Sequence, residues 1–214
     1  MTRTSRNAKF GERPIGNSEF AYGEVIKGWF DRFLKDDPEA WKPMPKVQVF
    51  LLGANAWLTG DRWPLKQTRT SRLYLAGAGN ANSLWGDGRL EHALAAKSAV
   101  DQFISDPTNP VPSLAGGLFE PVRDQRPVEA RQDVLIYSTA VLDKGLTITG
   151  DVKATLYVSV DAKDTDLAVK LVDVYPDGTA YNVQTGMLRL RYRDGFEKPE
   201  LLTPGQLYKI EIGG

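Results

Sequence analysis

A chain of 214 residues in which 27 Lys and Arg balance 27 Asp and Glu has no formal net charge, so it lacks the basic excess of a general phosphate-backbone binder. Its apolar fraction of 42% is ordinary for a globular protein, and its length suits one large domain or a medium domain with a flanking piece. The absence of cysteine excludes disulfides, thiolate nucleophiles and Cys-ligated zinc, and no apolar run approaches a membrane span.

The first residues, MTRTSRNAKFG, carry charge with no apolar core behind them. They do not read as a secretory signal, which leans the expected compartment toward the cytoplasm. Residues 20–35, FAYGEVIKGWFDRFLK, place Phe20, Val25, Ile26, Trp29, Phe30, Phe33 and Leu34 at spacings that make one broad apolar helical face. Ser18 and Glu19 mark its start, and Asp36-Asp37-Pro38 closes it, because a residue before proline resists helical geometry. A helix this aromatic must bury against something large, and little else in the chain is helical enough to serve.

Strand fragments follow, at about 46–52 (KVQVFLLG) and 71–76 (SRLYLAG), each ending in a glycine turn. Between them Trp57 and Trp63 bracket an expected turn. AGAGNANSLWGDG and SDPTNPVPSLAGG have loop chemistry. From Asp133 onward DVLIYST, LTITGDVKATLYVSV, LAVKLVDVY, GMLRLRYR and LYKIEI read as short strands at regular spacing, which predicts a sandwich or barrel. Pro176-Asp177-Gly178 and Asp194-Gly195 specify tight turns. Alternation in MLRLRYR predicts Leu188, Leu190 and Tyr192 on one face, with Arg189, Arg191 and Arg193 on the other.

Residues capable of chemistry are few. His92 is the sole histidine, and no G-x-S-x-G elbow accompanies it, so it reads as solvent-facing. Asp161, Asp164 and Asp166 could hold a hard cation, but the stretch lacks the glycine and distal glutamate of an EF-hand loop; a turn bonded by Asp and Thr side chains is the better reading. Accordingly no metal and no cofactor is expected. GAGN and GDG lack the lysine of a phosphate loop. The three arginines read as the polar face of a strand paired with nearby acids. In DQRPVEARQDVLIYSTAVL, Asp124-Gln125-Arg126 could point into a pocket, since Arg clamps carboxylates, or hold an internal ion pair fixing the lead-in to the first sandwich strand, the better reading.

Several blocks together, SDPTNPVPSLAGG, DQRPVEARQDVLIYSTAVL, ITGDVKATLYVSVDAKDTDLAVKLVDVYPDG and RLRYRDGFEKPELLTPG, closely resemble the C-terminal half of the cocaine-esterase-like serine hydrolases. That group includes α-amino-acid ester hydrolases, glutaryl-cephalosporin acylases and X-Pro dipeptidyl-peptidases. The likeness runs in order from Lys9 to Ile212. It implies a mainly β chain: the end of an α/β-hydrolase domain over residues 1–76, a connecting segment over 77–132, and a jelly-roll (galactose-binding-like) β-sandwich, incomplete at its C-terminus, over 133–214.

In this family the Ser-Asp-His triad has its histidine in a Gly-Pro-Trp-x-His motif. TSRNAKFG resembles the segment after that motif, so the triad is expected outside this chain, which is expected to be inactive alone. The helix at 18–36 resembles the last helix of the hydrolase domain, whose sheet is not in this chain. Leu118 and Phe119, after Gly116-Gly117, are the candidates for a substrate-pocket wall, with core packing as the other reading. Asp124 and Arg126 are candidates for interdomain ion pairs. The implied substrate of the intact enzyme is a small-molecule ester or amide; a homo-oligomer is possible, and neither nucleic acid nor membrane is an expected partner. The competing reading is a non-catalytic carbohydrate- or protein-binding β-sandwich using Trp57, Trp63 or Trp85.

Overall fold

The computed structural model describes residues 8–40, 44–97, 99–114 and 122–213. The chain divides into two compact units. One holds the residues up to Arg69 together with Thr147–Gly150; the other holds Thr70–Leu146 and the residues from Asp151 on.

In the first unit, β1 (Ala8–Phe10) turns back on β2 (Arg13–Gly16) through Gly11, whose φ of 65° suits a residue without a Cβ. Helix α1 (Tyr22–Leu34) starts four residues after Ser18, and its N-cap, Ala21, makes no side-chain capping bond. Instead, Asp31 bridges Lys27 and Lys35 one turn to either side. The helix ends where Asp36 takes a φ of 54° just before Asp37-Pro38. β3 (Val47–Leu51) and β4 (Ala56–Gly60) form an antiparallel hairpin closed by Asn55 at φ 51°, its N–H donating to the Leu52 carbonyl at 2.9 Å. Trp57 therefore lies inside a strand opposite Phe50, and not at a turn edge as the sequence suggested. Leu65 is buried, its Cδ2 filling the space beside Gly60. Thr147–Gly150 joins this unit through the Thr68 and Thr149 hydroxyls, 3.1 Å apart.

The second unit is mainly β. β5 (Tyr74–Ala76) pairs antiparallel with β6 (Arg89–Glu91). Residues 77–88 between them fold around Asp87, whose carboxylate accepts from the backbone N–H of Ala78 at 3.0 Å and of Asn80 at 3.2 Å. Two further ladders form the sandwich: β7 (Lys153–Ser159) with β10 (Leu207–Gly213), and β8 (Asp166–Val174) with β9 (Ala180–Arg189). Both are antiparallel. Strict alternation in β7 and β10 turns Leu156, Val158, Tyr208, Ile210 and Ile212 inward. These pack with Leu167, Val169, Leu188, Leu190 and Leu202 into one core, in which Leu190 and Ile210 are sealed from solvent. The β8–β9 turn is the expected one: Gly178 takes φ 81° and its N–H reaches the Tyr175 carbonyl at 2.8 Å.

Three expected strands differ. DVLIYST at 133–139 is not a regular strand; it is an extended run held by a parallel bridge between Ser138 and Arg89, with Ile136 N–H donating to Ala81 O at 2.7 Å. Gly88 permits that approach, since a Cβ there would fall 2.0 Å from the Ile136 carbonyl oxygen. Of residues 146–160, only Lys153–Ser159 is strand. The third, GMLRLRYR, leaves the ladder at Arg189 and closes into a 3-10 turn over Leu190–Tyr192. In each case the composition suits a strand, but among the described residues no neighbouring strand supplies a ladder.

Candidate functional site

The site is built where residues 122–131 dock on the β8–β9 hairpin. Asp124 forms an antiparallel bridge with Tyr181; Gln125 N–H donates to Ala180 O at 2.8 Å, and Ala180 N–H returns a bond to Asp124 Oδ1 at 3.2 Å. Pro127 then fits the first turn of the short helix α2 (Arg126–Glu129), where no N–H is needed, and Val128 is driven into the interior.

Gln125 is 1% exposed and is among the largest fully buried side chains of the chain. Its amide donates to Arg123 O at 3.0 Å and its carbonyl accepts from Lys170 Nζ at 2.8 Å. Arg126 clamps Asp124, its Nε 2.7 Å from Oδ2. That hydrogen bond outweighs partial burial and holds the Asp124 carboxyl below the usual aspartate range. Glu129, half-buried on the same segment, is pushed the other way, first by burial and then by the charge of Asp124; Lys170 and Arg126 oppose the shift. Burial lowers the Lys170 ammonium in turn. The cluster is thus four ionisable groups around one buried amide.

Asp124 and Arg126 are accordingly brought together, and with each other. Leu118 and Phe119 lie outside the described residues. His92 is exposed on the bend after β6. The arginines at 189, 191 and 193 are occupied internally. Arg189 grips Asp166 with two bonds of 2.8 and 3.0 Å, and Arg191 pairs with Asp164 through both backbone and side chain. Arg193 lies over the Tyr208 ring, 4.7 Å from its centroid, and donates to Glu200 O at 2.6 Å. These pairs also engage two of the three aspartates considered for a cation. No group of three metal-ligating side chains forms among the described residues.

Of the tryptophans, Trp57 packs at a tilt between Phe20 and Phe50, with ring centroids 5.4 and 5.3 Å away. Trp63 belongs to the same unit and Trp85 to the other.

Two buried contacts escaped the sequence. Lys170 carries one signal, a lone lysine inside the apolar strand LAVKLVDVY. The other contact has none: Asp101, which accepts from Ala81 N–H at 2.8 Å and Tyr137 OH at 2.6 Å, gives no local clue to partners so far away in sequence.

Fold and site together define a β-rich sandwich domain of the kind that ends larger hydrolases. An aminopeptidase from a marine-sediment Thaumarchaeota archaeon superposes with a TM-score of 0.79 at 28% identity, over 99% of this chain and 36% of that one. An α-amino acid ester hydrolase superposes at 0.70 with 30% identity, over 89% and 33%. In sequence, the chain is 41% identical to a cocaine esterase of Rhodococcus sp. (strain MB1 Bresler) over 219 aligned residues, covering 98% of this chain and 38% of the esterase. The family described as the X-Pro dipeptidyl-peptidase C-terminal non-catalytic domain matches residues 39–213, and the chain belongs to it. It spans about a third of the length of these relatives.

Proposed function

We propose that this chain is the non-catalytic C-terminal part of a serine ester or amide hydrolase of the acylase, esterase or X-Pro dipeptidyl-peptidase type, and that the triad lies outside it. The observation that carries this reading is α1, which precedes the matched domain. None of its thirteen residues is buried, and Ile26, Trp29, Phe30, Phe33 and Leu34 are exposed together. Such a face fits a catalytic domain laid against it.

In the intact enzyme, a serine would attack a small-molecule ester or amide and pass through an acyl-enzyme, with oxyanion donors supplied from elsewhere. On this reading residues 1–76 finish the hydrolase domain, 77–132 connect, and 133–214 form the sandwich. Leu118 and Phe119 wall the substrate pocket just before the chain is anchored at Asp124, and Asp124 and Arg126 brace the domain junction. A homo-oligomer is compatible with the exposed apolar surface.

The test is ester turnover with fluorophosphonate labelling. A folded sample of this chain should neither hydrolyse a p-nitrophenyl ester nor take the label. Specific labelling that is lost in His92→Ala would overturn the assignment.

A further inference from the structure

We propose that Asp194-Gly195 is the site at which this chain forms isoaspartate, and hence the site that a carboxyl-methylating protein-repair enzyme would take as its substrate. The sequence holds three Asp-Gly dipeptides, at 87–88, 177–178 and 194–195. Glycine carries no Cβ to hinder attack by its own nitrogen on the preceding side chain, so all three have the local chemistry. The fold separates them.

Asp87 is tied down. Its carboxylate accepts from Ala78 N–H at 3.0 Å, from Asn80 N–H at 3.2 Å and from the Asn80 side-chain amide at 3.3 Å. Gly88 has no room to turn, since a Cβ there would fall 2.0 Å from the Ile136 carbonyl oxygen. Asp177 is held inside the β8–β9 turn. Its Oδ1 accepts from Thr179 N–H at 2.9 Å, while Gly178 N–H to Tyr175 O at 2.8 Å and Tyr175 N–H to Thr179 O at 2.9 Å close the hairpin. Attack by the Gly178 nitrogen would have to open that hairpin.

Asp194 is restrained least. Its side chain is 66% exposed and meets Arg193 Nε at a long 3.4 Å, while the Arg193 guanidinium donates to Glu200 O at 2.6 Å and lies over the Tyr208 ring. Gly195 takes φ 114°, no atom lies within 4 Å of where its Cβ would be, and residues 194–201 are all exposed. The Gly195 N–H donates to Tyr192 O at 3.0 Å, but that bond closes a local turn and ties no strand to another. The carboxyl and the nitrogen can therefore meet at little cost to the sandwich.

The reaction balances with water alone. The Gly195 nitrogen attacks Cγ of Asp194; an N–Cγ bond forms, and the carboxyl O–H leaves with the amide proton as water, giving a cyclic imide. Water then adds to the imide. Opening at the new N–Cγ bond restores aspartate. Opening at the original peptide bond frees the α-carboxylate and routes the chain through Cγ, which is isoaspartate. One water is lost and one is gained, so the mass is unchanged, and the backbone gains one methylene.

The experiment ages the full chain for weeks at body temperature near neutral pH. Methyl transfer from S-adenosylmethionine by an isoaspartate methyltransferase reports the product, and peptide mapping places it. Isoaspartate of unchanged mass should accumulate at Asp194 several-fold faster than at Asp87 or Asp177; deamidation at an asparagine would shift the mass and is thereby set apart. Asp194→Glu, which would have to close a six-membered ring, should lose most of the methyl acceptance, whereas Asp177→Glu should keep it. In denaturant the three sites should convert at similar rates. Faster conversion at Asp87 or Asp177 in the folded chain, or methyl acceptance undiminished in Asp194→Glu, would overturn the proposal. The same ranking in denaturant would also overturn it, because local sequence and not the fold would then choose the site.

Discussion

Gly186 of β9 lies so close to Ile212 of β10 that a Cβ on the glycine would stand 2.7 Å from Ile212 Cγ2 and 3.1 Å from the carbonyl oxygen of Gly213. The two strands belong to different ladders, so the contact joins one sheet to the other. Gly186→Ala should therefore destabilise the sandwich by about 1–3 kcal/mol through overpacking, and Gly186→Val by more. Denaturant unfolding with unchanged slope would check this. Stability equal to wild type would mean that β10 can move away freely and that the contact does not set the sandwich spacing.

The arginine row predicts an asymmetry. Arg191 and Asp164 are joined by an ion pair and by the Arg191 N–H at 3.0 Å, with the Asp164 side chain 15% exposed. Arg189 and Asp166 make a bidentate pair whose side chains are 54% and 43% exposed. Asp164→Asn should cost about 1–2 kcal/mol, since it weakens a charge-assisted bond that pins the chain where it leaves β9. For Asp166→Asn the loss should be below ~1 kcal/mol, as water screens the exposed pair. Equal losses in thermal melts would count against burial as the cause.

The same row shows what could be read in advance. Acids opposite the arginines were legible because charges on an apolar strand need partners, and the core was legible because β7 and β10 alternate strictly. The end of the strand was not. Leu190 continues the alternation in sequence, yet it turns inward through a 3-10 turn, held by its own N–H to Thr165 O at 2.9 Å. Propensity also misplaced the strand at 133–139, because a strand needs an edge to pair with and local sequence does not say where that edge is. Gln125 was read only within Asp124-Gln125-Arg126 as a stretch that could point into a pocket; its buried side chain instead meets Lys170, 45 residues away.

Acid should destabilise the second unit through Asp133. Arg131 donates to both its oxygens, at 2.7 and 2.6 Å, and also to the Asn109 carbonyl at 2.8 Å, tying the turn at 106–109 to residues 131–133. The Arg131 hydrogen bond holds the Asp133 carboxyl below its ordinary value against the pull of burial. A depressed carboxyl contributes above the ordinary aspartate range and loses that contribution as pH falls through the folded value. Melting temperature should drop below about pH 4, and Asp133→Asn, already weaker by ~1–2 kcal/mol at neutral pH, should drop less steeply. Parallel pH profiles for the two proteins would assign the acid sensitivity to other carboxylates.

The face of α1 gives the last prediction. Trp29 and Phe33 stack on each other at 5.0 Å, yet they remain 46% and 57% exposed, and no residue of the helix is buried. Because neither ring is sealed in a core, Trp29→Glu with Phe33→Glu should leave the melting temperature nearly unchanged. If the face is built to meet another apolar surface, the chain should self-associate in sedimentation at micromolar concentration, and the double variant should weaken that association at least tenfold. A loss of fold in the variant would place the helix inside a core of the chain itself. Association that persists undiminished would move the sticky surface elsewhere, with Trp85, 87% exposed, as the next residue to replace.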